Sequence, residues 1–259
     1  MATDRSSAGD PARTLALLWG ISAEEKPGRR GPRQAKSPAE IAAAAIALAD
    51  AEGVDAVTMR RVAQELGVSP MALYTYVPGK AELLDLMLDT VYATMPRTAP
   101  ADEGWRARAT AVADDNRALY RAHSWVAGVS TSRPPLGPGL MAKYEYELRA
   151  LEPSGLPDVD LDAALTHLLG FVQTCARMAA DERAAEQDSA MSDAQWWAAN
   201  ADLLARVFDP GAHPVAARVG AAAGEAYGGA FSPEHAYAFG LARVLDGLAA
   251  LIAERRAEQ

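Results

Sequence analysis

Apolar residues recur every three or four positions through most of this chain, and no segment shows the period of two that marks a half-buried strand. The last helix shows the pattern most clearly, because Leu241, Leu245, Leu248 and Ile252 follow one another at spacings of four, three and four. We therefore predict an all-α protein. Beyond residue 97 the spacing places helices near 103–123, 136–151, 160–182, 192–208, 213–228 and 232–256.

Capping residues mark where several of these helices begin. Ser37-Pro38-Ala39-Glu40 and Ser192-Asp193-Ala194-Gln195 both fit the capping box, in which the first and fourth side chains satisfy each other's backbone N–H groups. Ser232 followed by Pro233 predicts a third helix start. The charged stretch 181–191 has no apolar stripe, so we expect a mobile connection there.

Residues 58–80 predict two short helices joined by a tight turn. Thr58 can cap the first helix, and Gly67 stands where that helix must end in a left-handed conformation. Ser69-Pro70 then starts the second helix, which Pro78-Gly79 ends. A turn of about three residues between two such helices is the helix-turn-helix arrangement, whose second helix enters the DNA major groove.

The second helix has few buried positions, since only Leu73 and Val77 fall on its inner face. Its remaining aromatic and polar side chains then lie on a surface, although an ordinary hairpin packed on a neighbour would have a similar pattern. The segment 26–36 favours DNA contact, because it holds five basic residues, no acid and several Gly and Pro. Such an arm can reach phosphates or the minor groove. A solvated linker is the alternative.

Residues 37–95 resemble the DNA-binding domain of the tetracycline-repressor (TetR) family. The resemblance rests on the turn A-x-x-L-G-V-S, the second helix L-Y-x-Y and the following K-x-x-L-L. It implies that Thr58, Tyr74 and Lys80 hold the DNA backbone, and that the other exposed motif residues select the sequence. The candidate DNA-contacting residues, arm and motif together, are Arg29, Arg30, Arg33, Lys36, Thr58, Arg60, Ser69, Met71, Ala72, Tyr74, Thr75, Tyr76 and Lys80.

The final helix, YAFGLARVLDGLAALIAERR (237–256), resembles the end of a tetracycline-repressor-type C-terminal domain. In that family this helix and the one near 192–208 pair with their mates in a homodimer. A buried core helix is the alternative, because an obligate interface resembles a core cut in half. The candidate interface residues are Trp197, Leu204, Leu241, Leu245, Leu248 and Ile252.

The resemblance also implies a small-molecule pocket among the helices of 103–183. The position of the founding repressor's magnesium-binding His falls on Val129, so we do not expect a tetracycline–magnesium complex as effector. For His167 the alternative is a satisfied core histidine. The candidate ligand-binding residues combine aromatic surface with polar groups and are Trp125, Tyr144, His167, Phe171, Thr174, Arg177, Trp196 and Asn200.

We therefore expect a ligand-responsive repressor that binds a palindromic operator as a homodimer and is released by a small molecule. The alternative is a ligand-independent repressor or an activator of the same fold. We divide the chain into a flexible N-terminal extension with the basic arm (1–36), the helix-turn-helix domain (37–80), a connecting helix (81–96) and a ligand-binding and dimerisation domain (97–259). Within the extension, the apolar island 13–20 is either disordered or a helical turn docked on the body or on a second subunit.

The amino-acid composition argues against several other classes of protein function. The net charge is −9, but 97–259 carries 22 acidic and 15 basic residues, whereas 26–96 carries eight of each. This distribution suits a protein that touches DNA with one end. The single Cys175 excludes an internal disulfide, and the four His show no metal spacing. We expect no cofactor, no metal, no enzyme activity, no membrane span and no secretory signal, and hence a cytoplasmic location.

Overall fold

The computed structural model describes residues 5–21, 36–100, 103–229 and 231–258. These residues form twelve α-helices and no β-strand, which confirms the predicted all-α class. The helices are α1 (Pro11–Leu18), α2 (Pro38–Glu52), α3 (Met59–Glu65), α4 (Pro70–Tyr74), α5 (Lys80–Thr94), α6 (Trp105–Ala122), α7 (Ser124–Gly128), α8 (Pro138–Leu151), α9 (Asp158–Ser189), α10 (Asp193–Val207), α11 (Pro214–Tyr227) and α12 (Pro233–Ala257).

The caps predicted from sequence are present. Ser37 and Glu40 close one capping box, and Ser192 and Gln195 close another. The Ser232 hydroxyl accepts from the His235 N–H at the start of α12. The helix bounds therefore follow the predicted ones within a few residues, apart from the end of α9 and the short α7, which the pattern did not indicate.

The prediction of a mobile connection at 181–191 is wrong, because α9 continues through it to Ser189. Residues 181–188 (DERAAEQD) contain no Gly or Pro, and most of them are good helix formers. The helix ends at Ala190, which adopts a left-handed conformation with φ 53°. A charged surface helix needs no apolar stripe if its first half is anchored, as Leu165, Leu168 and Val172 anchor α9.

Two hydrophobic cores organise these helices. The first holds α2–α5 together and includes Trp125, Val126 and Val129 from the region of α7. The second lies between α6, α9 and α12. Tyr120 packs against both cores, and α5 packs along α8, so the helix-turn-helix region is joined to the rest of the chain by shared side chains as well as by the backbone.

The N-terminal strap, which we define as residues 5–21, docks on the body. Helix α1 packs on α5, Leu18 is buried in the first core, and the Asp10 N–H donates to Glu82 on α5. The Trp19 Nε1–H donates to the Leu136 carbonyl in the turn between α7 and α8. Of the two alternatives for 13–20 the structure has the docked helix, so the predicted flexible extension is wrong for these residues. Tertiary contacts stabilise a helix too short to form alone.

Asp85 on α5 anchors the strap and is fully buried. Its Oδ1 accepts from the Ser7 N–H at 2.8 Å, while its Oδ2 has no partner among the described residues. The pKa of Asp85 is raised to about 6, chiefly by desolvation; the Ser7 N–H lowers it, and the neighbouring Glu82 carboxylate adds a smaller increase. The folded protein therefore holds the proton of this carboxyl more tightly than the unfolded chain does.

This raised pKa predicts a pH-dependent gain from Asp85→Asn. Wild-type stability should fall as the pH rises from about 4, where the unfolded carboxyl ionises, to about 6, and should then level off. The Asn variant keeps the acceptor for Ser7 without the charge. Two pKa units correspond to about 2.7 kcal/mol, so its melting temperature should exceed wild type by about 5–10 °C above pH 6. The difference should shrink towards pH 4. Exposed Asp188→Asn is the control, and an equal gain at pH 4 and pH 8 would contradict the assignment.

Helices α10 and α11 form an arm with no buried residue of its own. The arm nevertheless carries large apolar side chains on its surface, among them Leu203, Val207 and Val219. A contiguous patch of exposed apolar side chains often marks a contact surface. The arm is therefore a candidate contact surface.

Candidate DNA-binding surface and ligand cavity

Helices α3 and α4 form the predicted helix-turn-helix. Gly67 adopts a left-handed conformation with φ 66° directly after α3, where a side chain would be strained. The Ser69 hydroxyl then accepts from the Ala72 N–H and starts α4. Leu73 and Val77 are buried in the first core and fix the orientation of α4. The outer face of α4 is consequently presented to solvent by a short, well-anchored helix.

The motif side chains predicted to contact DNA are mostly exposed on this face. Met71 is 75% and Tyr74 46% exposed, and Thr75 is exposed as well. Ala72 and Tyr76 are half-buried, and Tyr76 packs against the first core. Lys80 is half-buried at the first turn of α5. The structure thus places these side chains on the surface of α4 and the segment up to the start of α5.

Thr58 and Ser69, whose hydroxyl groups are predicted to contact DNA, also cap the two helices of the motif. The Thr58 hydroxyl accepts from the Arg61 N–H at the start of α3, as the Ser69 hydroxyl does at α4. Each hydroxyl keeps its own O–H as a donor for a phosphate oxygen. Arg60 is exposed, and Lys36 forms an ion pair with Glu40. Arg29, Arg30 and Arg33 lie outside the described residues.

The predicted ligand residues do not converge on one cavity. Trp125 is buried in the first core, whereas Tyr144, His167 and Thr174 are exposed on helix surfaces. His167 therefore fits neither of its two interpretations. Asn200 donates to the Trp196 carbonyl of its own helix. The structure does not bring them together, because helical period shows which residues share a face but does not show which neighbouring helix covers that face.

The indole of Trp125 contacts side chains of the protein itself and does not line a ligand cavity. Its Nε1–H donates to the Asp50 carboxylate at 2.8 Å, and the same carboxylate lies 2.9 Å from the His123 Nδ1. Asp50 belongs to α2, while His123 and Trp125 lie at the junction of α6 and α7. This group of three side chains, which we call the Asp50 latch, connects the helix-turn-helix region to the helices that follow.

The structure assembles a different cavity, of about 400 Å³, between α6, α9 and α12. Phe171 stacks on Tyr237 at a ring-centroid distance of 6.0 Å, and the Arg117 guanidinium lies 4.0 Å above the Tyr237 ring. The Tyr237 hydroxyl donates to Asp114 at 2.8 Å, and burial is the largest cause of its raised pKa. This α6–α9–α12 cavity is lined by Arg117, Tyr120, Arg121, Cys175, Ala176, Ala179, Glu182, Arg183, Pro233, Glu234 and Tyr237.

A second cleft, of about 460 Å³, continues along α9 towards α10. Glu182 lines both cavities, and burial followed by the carboxylates of Asp193 and Glu186 raises its pKa. Trp196 and Met178 supply apolar surface, so Trp196 is the predicted ligand residue that lines this cleft. Sequence reasoning missed Arg117, Tyr120 and Tyr237, because the cavity requires three helices whose relative rotation no single period indicates.

A buried polar cluster between α6 and α8 was also missed. The Lys143 Nζ lies 2.6 Å from the Glu147 carboxylate, to which the Asn116 amide also donates. The Asn116 Oδ1 is buried without a partner among the described residues. An unsatisfied buried polar atom is unusual and costs stability, as does burying an ion pair. The cluster nevertheless joins α6 to α8 and fixes how they pack.

The burial of the α12 leucines contradicts the prediction that they form the dimer interface. Leu241, Leu245, Leu248 and Ile252 lie in the second core, covered by the chain's own α6 and α9. They cannot also be the surface that a partner covers, so the core alternative holds for them. Trp197 and Leu204, on α10, are half-buried and exposed respectively and stay candidates.

Length and composition alone would allow α12 to cross a membrane, contrary to the expectation that no segment could. Its leucines pack on α6 and α9, so we interpret it as a core helix. No group of three or more His, Cys, Asp or Glu side chains within the described part of the chain is placed to hold a metal ion.

Comparison with known proteins matches both halves of the chain. Residues 41–87 match the model of bacterial regulatory proteins of the tetR family, and 96–252 match that of the tetracyclin repressor-like C-terminal domain. The HTH-type transcriptional repressor DrrR1 of Streptomyces coeruleorubidus is 43% identical over 259 residues, covering 99% of this chain and 92% of the relative.

Solved structures agree with the sequence matches. Apo ActR from Streptomyces coelicolor aligns with a TM-score of 0.70 at 25% identity, over 86% of this chain and all of that one. ActR in complex with actinorhodin gives a TM-score of 0.69 at 25% identity, over 84% and 97%. Together with the exposed helix-turn-helix, these matches show that the chain belongs to the TetR family and is a DNA-binding transcriptional repressor.

Proposed function

We propose that this repressor binds a palindromic operator as a homodimer and leaves it when a small molecule occupies the α6–α9–α12 cavity. The observation that carries the proposal is the combination of this aromatic, partly polar cavity with a route of direct contacts to the helix-turn-helix. In keeping with its family, we place this activity in the cytoplasm, where the DNA of a bacterium lies.

On the DNA, α4 would enter the major groove. Tyr74, Thr58 and Lys80 would contact phosphates, and Met71 and Thr75 would meet base edges, where an apolar or short side chain suits a thymine methyl group. Arg60 is exposed at the start of α3 and can bind a guanine or a phosphate. Two copies of α4 about 34 Å apart would read two half-sites related by a two-fold axis.

For the homodimer we propose the α10–α11 arm and the outward face of α12. On α12, Phe239 is 57% exposed, Ala250 is exposed, and a side-chain atom added at Gly247 would meet open space. This face lies opposite the buried leucines. Small residues let two helices approach closely, while Phe239 and the apolar residues of the arm supply area to bury.

For the effector we propose an aromatic polyketide or a molecule of similar shape. ActR is described in complex with actinorhodin and with (S)-DNPA. The cavity offers Tyr120 for stacking on rings. Arg117 and Arg121 both pair with Glu234 in the unliganded protein, and an acidic or hydroxyl group of the effector would take the place of that carboxylate. An aromatic ligand with a few oxygen substituents fits this lining.

The conformational change on effector binding would reach the helix-turn-helix through helices that contact both it and the cavity region. α6 lines the cavity and ends at His123 of the Asp50 latch, so a shift of α6 moves α2. Asp89 on α5 also accepts the Gly139 and Leu140 N–H groups at the start of α8. A ligand acts through these contacts only if it binds the two conformations with different affinity.

The experiment is an operator gel shift titrated with aromatic polyketides, beginning with actinorhodin. We expect at least one of them to release the wild-type protein. Ala179→Trp should retain DNA binding but resist release, because it fills part of the cavity, whereas exposed Ala142→Trp on α8 should respond like wild type. Equal release of the Ala179 variant would exclude this cavity. Failure of every compound would favour the ligand-independent alternative.

A further inference from the structure

An open cleft of about 910 Å³ lies between the N-terminal strap, the turn that follows α7, and α9. Three arginines from these three elements line it, and hydroxyl groups occupy much of the remaining surface. Among the residues that the structure describes, no acidic side chain lines it. The lining residues are Arg5, Ser6, Ser7, Ala8, Gly128, Ser130, Thr131, Ser132, Arg133, Gln173 and Arg177.

The charge of this cleft is opposite to that of the chain. The protein carries a net charge of −9, yet Arg5 and Arg133 form no ion pair with any described residue. Arg177 donates its Nε–H to the Ala127 carbonyl, which leaves its terminal nitrogens available. Guanidinium groups that share a cleft repel one another, and an anion bound between them would remove that repulsion.

We propose that this cleft, which we call the strap cleft, binds a small anion or an anionic group of a larger molecule, with carboxylate or phosphate as the chemical class. Arginine suits both groups, because its planar donors pair with two oxygens at once. The hydroxyls of Ser130, Thr131 and Ser132 can donate to further oxygens. The lining lacks the large apolar or aromatic side chains that would favour a neutral aromatic ligand.

The site depends on the N-terminal strap, which supplies Arg5 and several of the other lining residues. Residues 5–21 lie outside both segments that match the family models, 41–87 and 96–252. Within the strap, the Ser6 N–H donates to the Ser130 carbonyl and the Ser6 hydroxyl to the Arg133 carbonyl, so Arg5 is held beside that turn. An anion between Arg5 and Arg133 would add a bridge across this contact.

The other end of the strap lies near the DNA-reading helix. Gly20 and Ile21 share a groove with Tyr74 and Thr75 of the helix-turn-helix. An anion that strengthens strap docking would therefore also stabilise the surroundings of the reading helix. The site is distinct from the proposed effector cavity, since the two share no lining residue.

The test is a calorimetric titration of the full-length protein with inorganic phosphate and, separately, with citrate, at constant ionic strength set by chloride. We expect saturable binding of one anion per chain for at least one probe. Arg5→Gln and Arg133→Gln should each weaken it about tenfold or more, as expected for the loss of a charged hydrogen bond. Arg149→Gln, an exposed arginine on α8, is the control and should stay within about twofold.

Hydrogen exchange gives a second readout that a general salt effect does not move. The anion should slow exchange of the Ser6 and Ser7 amides, which hold the strap in place, and Arg133→Gln should abolish that slowing. Preference for one probe would identify the acidic group. No saturable binding, or equal weakening by Arg149→Gln, would overturn the proposal. Neither result depends on operator release, so the proposed function is tested separately.

Discussion

Replacing Tyr74 and Lys80 together by alanine is expected to lower operator affinity about a thousandfold without unfolding the protein. A dimer would lose four backbone contacts, and at about 1 kcal/mol for each the total corresponds to nearly three powers of ten. Tyr74 is nearly half exposed, so its loss costs little packing. Fluorescence anisotropy with labelled operator DNA measures the affinity, and the melting temperature monitors the fold.

The salt dependence of binding gives this prediction a second measurement. Losing Lys80 from both subunits removes two phosphate contacts, so the slope of log affinity against log salt should become shallower by roughly 1.8. The matched control is Tyr144→Ala with Arg149→Ala, which removes the same residue classes from the surface of α8. Unchanged operator affinity in the Tyr74 and Lys80 variant would contradict the assignment of the DNA surface.

Two substitutions on α12 should give opposite outcomes. Ala250→Arg places a bulky charge on the outward face and should yield a folded monomer. Leu245→Asp instead buries an unpaired charge in the second core, where Leu245 is 3% exposed, and should destabilise the chain by at least about 4 kcal/mol. Sedimentation equilibrium and circular dichroism distinguish a folded monomer from an unfolded chain.

Exposed Ala142→Arg on α8 controls for the added charge and should remain dimeric. An intact Ala250→Arg dimer would exclude the outward face of α12 from the interface. A well-folded Leu245→Asp monomer would restore the leucine stripe as the contact surface and contradict the burial on which the correction rests.

Local features of this chain were predictable because their causes are local. The Ser37 and Ser192 capping boxes and the Gly67 turn each depend on a few adjacent residues, and the structure contains them. The exposure of Met71 and Tyr74 followed from the same reasoning, since Leu73 and Val77 left only one face of α4 to bury.

Features that depend on how helices meet were not predictable in the same way. The period of α12 showed an apolar stripe but not whether its own chain or a partner covers it, and the structure shows that its own chain does. Trp125 was assigned to a ligand because aromatic residues line cavities, whereas its partner Asp50 lies on a helix distant in sequence. The strap docks through Glu82 and Asp85, which no local signal in 13–20 indicates.

The central claim is that two copies of this chain read one symmetric site through α4. Selection of bound sequences from random DNA, followed by measurement of the mass of the complex, tests it most directly. The account predicts an enriched near-palindrome whose half-sites lie on one face of the duplex, bound by an even number of chains, with enrichment lost in the Tyr74 and Lys80 double variant. An asymmetric site bound by one chain, or no enriched sequence, would contradict it.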